Sequence, residues 1–223
     1  MDEWWTYDIA DLVLFTLETY FRLFEFYHRD WWPMQLVCLA MAVVILLCLR
    51  LKSGWGGRLI AILLAASWAW VGWAFLHLRL APIHWIADWY AVAFVLQALL
   101  FFVSGISPRG LEMETGNSMR VYIGVFVLLG ALLAMPVTAL LTGRDWMQAE
   151  LFAMTPDATV LATLGLLLLT KGHVAIWLAM IPVAWSFVTG ATLWVLEAPG
   201  ALILPASAIL TFALMLMPVN RRG

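Results

Sequence analysis

The sequence predicts an all-α membrane protein: a polytopic transmembrane helix bundle of about seven spans with an N-terminal amphipathic interfacial helix. Three observations lead there. Hydrophobic residues make up 65% of the chain and charged residues 12%, whereas soluble domains carry about twice that charge. Several apolar runs reach about 18 residues or more, enough to cross a hydrocarbon core as a helix. None of them alternates apolar with polar residues, as barrel strands do. The net charge of −2 comes with no basic stripe, so nucleic acid is not an expected partner and the lipid bilayer is.

Two regions follow. Residues 1–33 form an acidic amphipathic interfacial segment, and residues 34–223 form the bundle. No basic stretch precedes the first apolar run, so insertion is expected to rely on the spans themselves. A helix is expected over residues 8–30. Asp11, Glu18, Arg22, Glu25 and Arg29 share one face of it, while Leu14, Leu17, Phe21, Phe24 and His28 line the other. Glu18–Arg22 and Glu25–Arg29 are acid-before-base pairs four residues apart, each worth roughly 0.3 kcal/mol. Charges inside a span would each cost roughly 2.5 kcal/mol or more. The helix therefore lies along the interface. Trp31, Trp32 and Pro33 then mark an aromatic belt and a sharp turn into the first span.

The expected spans are 34–50, 58–78, 83–104, 120–142, 156–171, 173–196 and 201–218. The fifth is about 24 Å long at 1.5 Å per residue, so six full crossings is the alternative count. Thr155 and Pro156 give it a cap and a first-turn proline. Gly54, Gly56 and Gly57 form a turn and not a phosphate loop, because no Lys-Ser/Thr follows. Pro108, Gly110, Gly116 and Asn117 place a long loop at 105–119, and 143–155 is the second. Pro136 and Pro182 are expected to kink their spans. Cys38 and Cys48 sit about 15 Å apart along one helix, too far for a disulfide, and read as packing residues.

Charge asymmetry sets an expected orientation. Arg50, Lys52, Arg58, Arg109, Arg120, Lys171, Arg221 and Arg222 fall on one side; Arg22, Arg29, Arg79 and Arg144 fall on the other. The first side is cytoplasmic by the positive-inside rule, which puts the N-terminus outside and the C-terminus inside. There is also an internal echo. Trp68–Pro82 and Trp185–Pro199 each carry a glycine, Gly72 and Gly190, and each ends in Ala-Pro, Ala81-Pro82 and Ala198-Pro199. Read as a parallel repeat, it gives 34–104 and 156–218, with 120–142 as a linker span. Small solute carriers use such repeats and bind substrate between them.

Polar residues at the span ends are the candidates for chemistry. Trp70, Trp73 and His77 form one stripe near the outer end of the second span. Across the Ala81-Pro82 turn, His84 and Asp88 share a face, and Asp88 reads as the one acid inside an apolar segment. This set is a candidate solute or proton site. His77, His84 and Asp88 are also an N,N,O ligand set of the kind that holds a metal, although span-end residues of these types equally serve as interfacial anchors and a dipole-favoured carboxylate. No metal or other cofactor is assigned. Gln97 lies deeper and is expected to hydrogen-bond between helices. Trp194 and Glu197 close the sixth span near the matching turn, and Thr189 and Thr192 are expected to bond back to their own helix. There is no span-seven lysine for a retinal Schiff base, no deep histidine pair for haem, and no nucleophile–base set at a shared depth. An enzyme is therefore not expected.

Several stretches carry a resemblance. Met1–Tyr7, Thr19–Glu25, Ala81–Trp85 and Ser186–Trp194, ending Gly190-Ala191-Thr192-Leu193-Trp194, are together similar to an uncharacterised bacterial family of multi-pass integral membrane proteins, a domain of unknown function whose members are sometimes labelled permeases. The resemblance implies a bacterial inner-membrane location and names no substrate. The expected function is a small-solute permease or carrier. The alternative is a non-catalytic subunit or assembly partner of a larger membrane complex, in contact with other membrane subunits or with copies of itself.

Overall fold

The computed structural model describes residues 16–51, 55–107, 110–114 and 116–217. Expectations for Asp11, Leu14, Lys52, Gly54, Pro108, Arg109, Arg221 and Arg222, and for the opening residues 1–15, lie outside that range. Among the described residues the chain is all-helical. The elements are α1 (Leu17–Asp30), α2 (Met34–Leu51), α3 (Gly56–Leu80), α4 (Ala87–Ile106), α5 (Met119–Leu141), α6 (Pro156–Leu168), α7 (Val174–Val195) and α8 (Ile203–Leu216). Five of them, α2, α3, α4, α5 and α7, are long and apolar enough to cross a membrane. α6 and α8 are apolar but shorter.

α1 starts at Leu17 because the Thr16 side chain accepts from the Thr19 N–H, an N-cap. Its buried face is Tyr20, Phe24, Tyr27 and His28. The expected face is corrected by part of a turn: Leu17 and Phe21 stay partly exposed and the two tyrosines go in. Aromatic packing decides this, since Phe24 and Tyr27 both sit against Phe75 of α3, with ring centroids 5.2 and 5.4 Å apart. Glu25–Arg29 closes at 2.9 Å as expected, while Arg22 lies over the Phe26 ring at 5.7 Å. A cis Trp32–Pro33 bond leads into α2.

α3 continues past Trp70 as a wider π-type turn over Val71–Leu80. α5 widens in the same way over Gly130–Ala134, just before Pro136. The proline has no N–H to give the carbonyl four residues back, so the expected kink is taken up as this local π segment. Pro182 lies within an unbroken α7.

α6 is the centre of the fold. Every residue from Pro156 to Leu168 is buried, and α3, α5, α7 and α8 all pack on it. Its closest neighbour is α5, where two glycines meet. A Cβ on Gly165 would lie 2.7 Å from Leu128 N and 2.9 Å from Gly124 O, so only glycine admits this backbone approach. Both ends of α6 are tied down. Arg120 of α5 donates to the Leu168 and Thr170 carbonyls at 3.0 and 3.3 Å, placing a cation at the helix C-terminus. The 110–114 segment pairs with residues 169–171 through Glu114 N–H to Leu169 O and Lys171 N–H to Glu112 O. At the other end, residues 149–155 fold inward, with Ala149, Phe152, Ala153, Met154 and Thr155 buried. The Thr155 hydroxyl donates back to Leu151 O at 3.2 Å and does not cap α6, contrary to expectation.

Candidate functional site

The sequence-predicted residues fall into separate places. His77 and Asp88 hydrogen-bond at 2.7 Å on an exposed rim. His84 turns toward Tyr90 instead, 5.9 Å between ring centroids. Among the described residues, no three His, Cys, Asp or Glu side chains converge to hold a metal ion, so His77, His84 and Asp88 do not form a ligand set. Trp70 and Trp73 stack edge-on with Trp31 at the end of α1, centroids 4.8 to 5.6 Å apart, and fasten α1 to α3. The five residues expected as one cluster are thus three separate features: an aromatic clasp of Trp70 and Trp73, a rim hydrogen bond between His77 and Asp88, and His84 beside Tyr90. Gln97 is fully buried and donates to Leu178 O of α7 at 2.9 Å, the expected interhelical bond. It lines no cavity among those described below. Trp194 and Glu197 border an open hollow of about 840 Å³ with Gly200, Leu202 and Ala206.

The buried acidic residue is Asp157, not Asp88. Asp157 is 2% exposed and sits in the first turn of α6. Both its oxygens are taken: Trp185 Nε1 donates to Oδ1 at 2.8 Å and Thr189 Oγ1 donates to Oδ2 at 2.9 Å. Thr189 therefore reaches across to α6 and not back along α7, a correction to its expected role. Asp157 so joins α6 to α7 through one carboxylate. Tyr20 of α1 borders the same small hollow as Trp185 and Thr189.

Beside Asp157 lies a cavity of about 600 Å³. Its walls come from α1 (Leu17, Glu18, Phe21), the end of α5 (Met135, Thr138, Leu141), the 142–150 connection (Thr142, Arg144, Glu150) and the α7–α8 turn (Leu193, Pro199, Leu204). The walls are mostly apolar. The polar groups are Glu18, Thr138, Thr142, Arg144, Glu150 and Asp157. Arg144 lies over the Phe21 ring at 3.8 Å and its Nε donates to Thr142 Oγ1 at 2.9 Å. Its Nη1 is buried with no hydrogen-bond partner among the described residues. Glu150 Oε2 is in the same condition. Burial, and then the Asp157 charge, push the Glu150 carboxyl up to about 8, with Arg144 opposing.

Sequence reading missed Asp157, Glu150 and Arg144 because each lies at the edge of an apolar run, where a charge looks solvated. One signal was present: the fifth segment is short, and short or broken helices often point their ends at a site.

Residues 17–222 match the model of a family of unknown function, DUF6064. No curated protein and no solved structure matches the chain.

Proposed function

We propose a function for a chain that belongs to a family of unknown function, DUF6064: it is a small-solute carrier of a bacterial inner membrane, and its solute site is the cavity between α1, α5, the 142–150 connection and the α7–α8 turn. The observation that carries this reading is the cavity itself. It opens beside the N-terminal end of a short, wholly buried helix and holds charged side chains among apolar walls. Carriers place their substrates at interrupted helices of this kind.

Membrane placement is supported by the outer surface. Phe126, Leu141 and Trp177 are 78%, 80% and 75% exposed, on helices of spanning length. Patches of that kind need an apolar surrounding. A seven-span count follows if α6 and α8 are taken with the five long helices. The Lys and Arg distribution then supports N-terminus outside and C-terminus inside, with the cavity opening outward. A parallel repeat is supported by two matches. Gly72 approaches Ala91 and Phe94 of α4, and Gly190 approaches Ala201 and Pro205 at the start of α8, so each glycine meets the chain that follows its Ala-Pro turn. Each turn also closes with a five-residue backbone bond at 2.9 Å, Ala81 N–H to Leu76 O and Ala198 N–H to Leu193 O.

The test is uptake by the purified full chain in liposomes. Three labelled solutes are offered: an apolar amine, an apolar carboxylate and a zwitterionic dipeptide. Saturable uptake of one, lost when Thr138→Trp fills the cavity, is expected. Failure of all three, with a second chain retained at fixed stoichiometry through purification, overturns the carrier in favour of a complex subunit.

A further inference from the structure

We infer that the cavity is built for a zwitterion with an apolar body, its oxyanion held by Arg144 and its ammonium by Glu150. This deepens the carrier reading and rests on it for taking the cavity as the solute site.

The inference starts from which charges remain free. Asp157 is spent, because Trp185 and Thr189 occupy both its oxygens. Glu18 lies on the exposed rim of α1. Arg144 and Glu150 remain, and both line the same cavity. Each carries one buried polar atom without a partner among the described residues, Arg144 Nη1 and Glu150 Oε2. They make no ion pair with each other, whereas Glu25–Arg29 and Arg79–Asp30 do form pairs. Buried donors and acceptors left unpaired are costly. Burial keeps the Glu150 carboxyl protonated while the cavity is empty, and an ammonium beside it favours the charged form, so a guanidinium and a carboxyl separated inside one apolar hollow match a ligand of opposite charges that bridges them. A lone amine would satisfy Glu150 and strand the guanidinium, and a lone carboxylate would do the reverse. Phe21 backs the guanidinium with its ring and limits its motion. About 600 Å³ of mostly apolar space admits a body of dipeptide size or a lipid's glycerol and chain start.

The same chemistry occurs in a soluble dipeptide and in an ethanolamine phospholipid headgroup. The experiment separates them. Binding to the full chain in phosphatidylcholine nanodiscs is read by tryptophan fluorescence for dileucine, dileucine amide and N-acetyl-dileucine. Lysophosphatidylethanolamine is added as a fourth ligand and as a competitor. The expected result is that one zwitterion binds about tenfold or more tighter than both single-charge forms. Arg144→Gln should then erase the gap between dileucine and its amide, and Glu150→Gln the gap between dileucine and its N-acetyl form. Preference for lysophosphatidylethanolamine over dileucine assigns the site to a headgroup. Equal or tighter binding of a single-charge form, or no binding by either zwitterion, overturns the inference, and this arm needs only the native chain. Liposome flux keeps the two readings apart. Uptake of the amine alone leaves a carrier without the zwitterion rule, and zwitterion binding without uptake of any solute leaves the rule without a carrier.

Discussion

Asp157→Ala should be strongly destabilising while Asp157→Asn is tolerated. Alanine removes the acceptor for two buried donors, the Trp185 indole N–H and the Thr189 hydroxyl. Each donor left unpaired in the interior costs roughly 1–3 kcal/mol. The hydroxyl can rotate toward a backbone carbonyl of its own helix, which lowers its share. The sum is roughly 2–4 kcal/mol. Asparagine keeps Oδ1 for Trp185, and its amide N–H₂ can donate to Thr189 Oγ1, which then accepts. That exchange preserves both contacts and should cost less than about 1 kcal/mol. The assay is denaturant unfolding of the detergent-solubilised full chain, followed by tryptophan fluorescence. Trp185→Phe in the Asp157→Ala background should add little, because the contact is already lost. If Asp157→Ala and Asp157→Asn prove equally stable, the carboxylate does not tie α6 to α7, and the account of the α6 N-terminus fails.

Two further outcomes follow from the same region. The Glu150 carboxyl is raised from 4.5 to about 8, so the folded state holds a proton that the unfolded chain releases. Its contribution to stability is present below pH 4.5 and is lost as pH rises to about 8. Facing it are Asp157 on α6, Arg144 on the same connection, and Glu18 and Tyr20 on α1. Thermal unfolding should therefore fall over that window by the equivalent of about 2 kcal/mol, allowing for the side chain's partial solvent contact. Glu150→Gln should flatten the slope, and an unchanged slope in that variant would refute the assignment. At the α5–α6 crossing, Gly165→Leu places a side chain against Leu128 N and Gly124 O. Helices with no room to part should lose at least about 3 kcal/mol or fail to assemble, read as loss of the monodisperse peak in size-exclusion chromatography; Gly130→Ala, with open space around it, should behave as the native chain does.

What the sequence determined by itself was the class and the outline of the helices. An apolar run of about 20 residues has few folded options, and turn residues such as Pro33, Gly110 and Pro199 punctuate it wherever the rest of the chain lies. The amphipathic helix α1 was legible too, because Glu18, Arg22, Glu25 and Arg29 recur at helical spacing; its inward face was legible only in part, since Tyr20 and Tyr27 are buried and Tyr27 packs on Phe75 brought from α3. The cluster of charged groups beside the cavity was a matter of tertiary structure. Asp157, Glu150 and Arg144 each read locally as ordinary charges at a helix edge. They come together beside one cavity because α6 is drawn wholly inside the bundle by the Gly124–Gly165 approach, which carries its first turn and much of residues 149–155 below the surface. His77 and Asp88, equally polar in sequence, pair on the rim, exposed among the described residues. Burial changes the cost of a charge by several kcal/mol, and burial is a property of how the helices pack around α6, not of any one segment.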